Sequence, residues 1–153
     1  MSFVSKFLAV ITAGLFALGA AHAEDRAKPD EAKAMLAKAV AFMKANGTEK
    51  AIGEFSKKEG SFVDRDLYVT VYDMSGKTLA HINPRMVGKD NINLQDAEGK
   101  FHIKERLDIA KASGKGQQEF KFLNPMTKQI EPKVMYFEKV GDLLVACGSY
   151  KSA

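Results

Sequence analysis

Three strand-like runs close the chain: Gln117 to Leu123, Ile130 to Lys139 and Asp142 to Tyr150. Asn124-Pro125-Met126-Thr127 separates the first two, and Val140-Gly141-Asp142 makes a tight turn between the last two. Connections this short reverse the chain, because parallel neighbours need a crossover of a dozen residues or more. The same logic holds upstream. In Asp66 to Met74, DLYVTVYDM, the residues Leu67, Val69 and Val71 point one way, and Tyr68, Thr70 and Tyr72 the other. β-branched and aromatic residues at period two predict a strand. Ser75-Gly76 turns it into a return strand, Lys77 to Ile82. The expected core is a mainly antiparallel sheet of five strands.

Helical signals flank this sheet. Pro29 suits a first helical turn, and Asp30 and Glu31 favour the positive end of a helix dipole. Met35, Leu36, Ala39, Val40 and Met43 form one apolar stripe, which Asn46-Gly47 ends. Thr48 caps a shorter helix with Ile52 and Phe55 inward and Gly60 as its stop. Asn83 to Gln95 reads as a loop, and Ile103, Leu107 and Ala110 mark a helix closed by Ser113-Gly114. The order predicts an α+β domain. The long first helix covers one sheet face, and the loop and helix inserted after the second strand cover the other and enclose a pocket.

The amino terminus reads as a signal peptide, residues 1–23. Lys6 precedes the uncharged run Phe7 to Ala20, and Ala21-His22-Ala23 offers a small-x-small cleavage pattern before Glu24. The run falls short of the roughly 20 residues a membrane-spanning helix needs, which disfavours the alternative of an uncleaved anchor. The segment holds one Lys and no acid, so residues 24–153 keep 22 basic against 19 acidic residues, a net charge of +3. Lys and Glu are interspersed rather than gathered, which argues against a nucleic-acid partner. Cys147 is the only cysteine and is expected as a buried small hydrophobe, the alternative being a reactive or dimer-linking thiol. The expected location is periplasmic or secreted.

The run DLYVTVYDMSGKTLAHINPRMVGKDNINLQDAEGKFHIKE resembles the core of the single Cache domain (type 2) family. It carries a Tyr-bearing strand, an Asp-x-x-Gly turn, Leu-Ala-His, Asn-Pro, Val-Gly-Lys-Asp and an Asp-x-x-Gly-Lys helix start. NPMTKQIEPKVMYFEKVGDLLVACGSYK is similar to the family's closing three strands, with their Pro-Lys-x-x-Tyr and Gly-Ser-x-Tyr elements, the second reading Gly148-Ser149-Tyr150 here. The resemblance covers about Ala32 to Lys151. It implies a PAS-like fold of five antiparallel strands and an extracytoplasmic sensory domain, with small organic acids among the relatives' ligands. The chain stops just after the last strand, so a free-standing periplasmic binder is expected. Its partners would be a small organic ligand, a carboxylate, and a membrane receptor or sensor kinase, with the protein a monomer or weak homodimer. Phe120-Lys121-Phe122 stands where many relatives carry Tyr-x-Trp, a change that would alter ligand preference.

Capture of a small anion needs cations, hydroxyl donors and an apolar wall. Lys133 and Tyr136 are candidates, although their spacing places them on opposite faces unless a bulge intervenes. The alternative leaves Lys133 in solvent and Tyr136 in the core. Tyr68 and Tyr72 share a face with Thr70 and suit a pocket floor, or equally an ordinary core. His81 can hydrogen-bond a carboxylate or order the following loop. Arg85 can clamp a carboxylate or point into solvent. Phe101 and Phe120 read as wall residues. Beyond residue 23 the histidines are His81 and His102, with no cysteine pair, so neither a metal nor another cofactor is expected. No nucleophile motif or phosphate-cradling loop appears, so the chain is not expected to be an enzyme. The competing reading is an interaction module that keeps the fold without a ligand.

Overall fold

The computed structural model describes residues 25–151, so the expected signal segment and its cleavage point lie outside the described residues. The elements are α1 (Pro29–Asn46), α2 (Thr48–Phe55), β1 (Val63–Asp64), β2 (Leu67–Asp73), β3 (Thr78–Ala80), α3 (His102–Ser113), β4 (Lys115–Leu123), β5 (Ile130–Val140) and β6 (Leu143–Tyr150). No helix among the described residues is long and apolar enough to cross a membrane.

The first and third helices follow their local signals, whereas Gly47, not the expected Thr48, precedes the second, which has no side-chain cap hydrogen bond. Pro29 opens α1, and the Lys28 backbone N–H donates to the Glu31 carboxylate at 2.6 Å, satisfying one of the free amides at the helix start. Gly47, at φ 85, ends it. Gly114 closes α3 in the left-handed region at φ 77, a conformation that side chains other than glycine's rarely tolerate. The second helix stops at Phe55, before the expected Gly60.

The sheet is antiparallel, with strand order β1-β2-β6-β5-β4 and β3 beside β2. It has six strands rather than the expected five. The extra one, Val63–Asp64, pairs with Leu67 and Tyr68 and is too short to show a periodicity. The return strand shrinks to Thr78–Ala80. Loop residues supply hydrogen bonds along it: Thr78 N–H donates to the Lys89 carbonyl, and Gly88 N–H to the Thr78 carbonyl.

Strand alternation sorts the core into two layers. Leu67, Val69, Val71, Val134, Tyr136, Val145 and Cys147 pack with Leu36, Val40 and Met43 of α1. Burying each such aliphatic side chain contributes about 1.5–3 kcal/mol. On the other face Tyr72, Phe120, Met135, Phe137, Leu144 and Ala146 meet Ile103, Leu107 and Ala110 of α3. Cys147 is a buried free thiol in the first layer.

Two aspartates anchor the segment that carries α3. The Asp73 carboxylate accepts from the backbone N–H groups of Ser75 and Lys77, fixing the turn after β2. Asp96 accepts from the N–H groups of Glu98, Lys100 and, on β4, Lys121. That last bond ties the loop to the edge strand and sets α3 over the sheet. Both Asp-x-x-Gly segments thus act through short side chains that mimic a backbone turn.

Candidate functional site

Beneath α3 the sheet gathers a cluster of buried polar groups. Tyr68, Thr70 and Tyr72 rise from β2, Lys133 from β5, Tyr150 from β6 and Gln118 from β4, while α3 supplies His102 and Arg106. Pairing explains their common face: Lys133 lies opposite both Tyr150 and Phe120, Gln118 lies opposite Met135, and Met135 opposite Gly148.

Two cations occupy this interior. Lys133 is 1% exposed and Arg106 fully buried. The Lys133 ammonium sits 3.9 Å from the Tyr68 ring centre and 4.5 Å from that of Tyr150. It also donates to the Tyr150 hydroxyl at 3.4 Å. That hydroxyl donates onward to the Leu123 carbonyl at 2.7 Å and lies 3.3 Å from the Tyr68 hydroxyl. Arg106 Nη1 donates to the Tyr72 hydroxyl at 3.2 Å, and its guanidinium lies 4.9 Å from the Phe120 ring centre. His102 stacks on the other ring partner, Phe120, at 4.6 Å.

Several of these groups lack a hydrogen-bond partner. Arg106 Nε and Nη2, His102 Nδ1, Thr70 Oγ1 and both amide atoms of Gln118 are buried and unpaired. Neither Arg106 nor Lys133 forms an ion pair among the described residues. Burial disfavours the charged form of each: it pushes the Lys133 ammonium down to about 7, and it lowers Arg106 as well. Desolvating one ion costs several kcal/mol, and a close counter-charge is missing: the buried Asp66 acts on Lys133 only from beyond ion-pair distance. A planar anion with two oxygens would supply it, meeting the guanidinium edge bidentately and the ammonium at a point.

Gly148 makes room for Lys133. A Cβ there would stand 2.8 Å from Lys133 Cε and 2.6 Å from the Val134 carbonyl oxygen. The lysine tip can move but the strand backbone cannot. Gly148→Ala is therefore expected to lower stability by about 1–3 kcal/mol. Urea denaturation checks this: the midpoint should fall with the slope unchanged. An unshifted midpoint would show that the sheet yields there.

An open cleft of about 460 Å³ lies beside this cluster and shares Tyr68 with it. Tyr68, His81, Ile82 and Pro84 form one wall, and Phe122, Leu123, Pro125 and Met126 of the β4–β5 hairpin the other. Tyr68 belongs to both: it lines the cleft, and its ring carries the Lys133 ammonium. His81 Nδ1 accepts from the Asn83 N–H at 2.9 Å, which leaves Nε2 as its protonated nitrogen. Burial, aided by the charges of Lys133 and Arg106, holds His81 down to about 3, so it is a neutral donor.

Of the residues expected from sequence, the structure gathers Tyr68, Tyr72, His81, Phe120 and Lys133. Tyr136 lies on the opposite face against α1, because β5 runs in continuous register with both neighbours and no bulge intervenes. Arg85 is exposed in its loop, its backbone N–H donating to Asn83 Oδ1. Phe101 is 43% exposed at the start of α3. Arg106, His102, Gln118 and Tyr150 were not expected. Arg106 had a readable signal, since it falls within the buried stripe of Ile103, Leu107 and Ala110, where a charge is out of place.

Solved structures share this architecture. A methyl-accepting chemotaxis protein from Vibrio parahaemolyticus superposes with TM-score 0.68 at 23% identity, covering 79% of this chain and 86% of that one. A periplasmic sensor domain of a chemotaxis protein gives 0.60 at 19% identity, covering 80% and 90%. A Cache chemosensory domain described for carboxylic acid recognition gives 0.62 at 18% identity, covering 80% and 88%. No curated protein matches in sequence. These likenesses establish the fold, and the sequence model of one family matches from residue 12 to residue 152. With that match spanning all of β1 to β6 and the three helices, the chain belongs to the single Cache domain 2 family.

Proposed function

We propose that this chain is an extracytoplasmic sensory domain that captures a small organic carboxylate among the buried polar groups beneath α3. The observation that carries this reading is the pair of buried cations, Arg106 and Lys133, with no acidic partner among the described residues. The carboxylate would take the free Nε and Nη2 edge of Arg106 and the Lys133 ammonium. The hydroxyls of Tyr68 and Tyr72 would orient it, and Phe120 and Met135 would bury its carbon chain. The relative described for carboxylic acid recognition, and the chemotaxis proteins of the same fold, support both the ligand class and a sensing role.

Capture here is passive: nothing in the cluster pairs a nucleophile with a base. The domain, after removal of residues 1–23, passes the bound state to a membrane receptor or sensor kinase. A thermal-shift panel tests the binding step. Propionate, pyruvate and lactate should raise the melting temperature, whereas propionamide and propylamine should not. A ligand at 100 times its Kd stabilises by about 2.7 kcal/mol, roughly 10 °C for a domain of this size. A panel in which amides shift the protein as far as acids would remove the role given to the two cations.

A further inference from the structure

We propose that the outer cleft is a second anion-binding subsite, so that the ligand is an elongated acid with an anionic group at each end and an apolar spacer. This rests on the reading above, in which Arg106 and Lys133 hold the inner carboxylate.

Volume is the first argument. A carboxylate head occupies little more than a water or two, at roughly 30 Å³ each. The cleft alone offers about 460 Å³, within the range of about 300–1,000 Å³ typical of sites for larger ligands. A short monocarboxylic acid held among the buried polar groups leaves that space to solvent.

Charge is the second. Lys58, Arg65 and Lys128 line the cleft, and no aspartate or glutamate does. Arg65 is committed, since Nη2 lies 2.6 Å from Glu31 and 2.9 Å from Asp64. Lys58 and Lys128 have no ion-pair partner among the described residues. Lys128 is fixed in place by its backbone: it adopts φ 58 in the hairpin loop, with its N–H donating to the Asn124 carbonyl at 2.9 Å. The cleft mouth is therefore a positive rim without a counter-charge.

The wall between the two charged zones is the third. Leu123 and Met126 are 49% and 47% exposed on the hairpin. They stand next to Phe122, whose ring centre is 6.2 Å from that of His81. A methylene spacer running past Tyr68 and His81 would cover both side chains and place the outer carboxylate at Lys58 and Lys128.

Isothermal titration calorimetry on the purified full-length protein, at low ionic strength, tests this. Two series serve as probes: the monoacids propionate to octanoate, and the α,ω-diacids succinate to suberate. At least one diacid should bind about tenfold more tightly than the monoacid of equal length, because the outer contact adds one charge-assisted pair. Lys58→Ala/Lys128→Ala should remove that margin and leave monoacid affinity within twofold. Both lysines are exposed, so the variant should fold, and its unchanged thermal melt in the absence of ligand would show it. Diacids no tighter than monoacids, or a margin that survives the double substitution, would overturn the second subsite alone. If neither series binds, the carboxylate reading falls with it.

Discussion

Arg106→Met is expected to make the ligand-free protein more stable while abolishing carboxylate binding. The two effects share one cause. Arg106 is fully buried with two guanidinium nitrogens unpaired and no carboxylate to offset the charge. Its compensations are one hydrogen bond to Tyr72 and contacts with the faces of Tyr72 and Phe120. A hydrogen bond to a charged group contributes about 1.5–3 kcal/mol, and a desolvated cation–π contact about 2. Against these stands a desolvation penalty of several kcal/mol, plus the unpaired donors at about 1–3 kcal/mol each. The unfavourable side is larger. Methionine keeps the length and apolar stem without the charge, so a gain of about 1–3 kcal/mol is expected, or roughly 4–12 °C in melting temperature.

Carboxylate affinity should fall at least a hundredfold in the same variant, since a bidentate charged contact disappears. Arg106→Lys separates charge from shape: it keeps a cation but loses the planar fork, and should bind with intermediate affinity. Calorimetry and thermal melts on the three proteins read both quantities. A strongly destabilised Arg106→Met protein would show that the arginine is held by the fold for its own sake. The trade of stability for binding is the pattern expected where a site stores unsatisfied groups for a ligand.

The second large effect concerns Lys133 and pH. Burial holds its ammonium down to about 7, against the ordinary lysine value of 10.5. Between these values the unfolded chain carries a proton that the ligand-free folded protein has lost. Unfolding therefore takes up a proton, and stability must rise with pH across the window from about 7 to 10.5 and stay flat below it. The full change is on the order of 5 kcal/mol, at 1.36 kcal/mol per unit. The neighbours do not blur this window. His81 is neutral there, at about 3, and Cys147 is pushed up to about 12 by burial. Burial also raises the Tyr68 and Tyr150 hydroxyls, and a guanidinium does not titrate in this window.

Ligand binding should run the other way. A carboxylate needs the protonated ammonium, so its affinity should drop by up to tenfold per unit above about pH 7, with one proton taken up on binding. Titrations at pH 8 in two buffers of different ionisation enthalpy measure that proton directly. Lys133→Met should flatten both the stability slope and the affinity slope. If that variant keeps the slopes of the native protein, another group titrates and the assignment fails.

The strand pattern around Tyr68 to Tyr72 was readable because alternation at period two depends only on local geometry. The same rule carried its own warning about Lys133 and Tyr136, whose odd spacing sets them on opposite faces of a strand without a bulge. The structure has no bulge there, and Tyr136 packs under α1. β1 escaped notice because two residues show no period. Arg85 and Phe101 drew attention by residue type alone, and their exposure separates them from the buried cluster.

Much of this protein is written in near-neighbour chemistry. The helices, the hairpins, the antiparallel sheet and the run of motifs that marks the family all arise from spacing and turn residues within short windows of chain. The meeting of Arg106 with Lys133 does not. One residue comes from α3 and the other from β5, 27 positions later, and Tyr72 and Tyr150 that contact them are further apart still. Whether each charge finds a counter-ion is a question about burial and distance in three dimensions. A lysine on a strand or an arginine on a helix has the same local signature in solvent as in an unpaired interior. Tertiary packing alone decided that these two are buried together without an ion-pair partner, because only packing excludes the water that would otherwise solvate them.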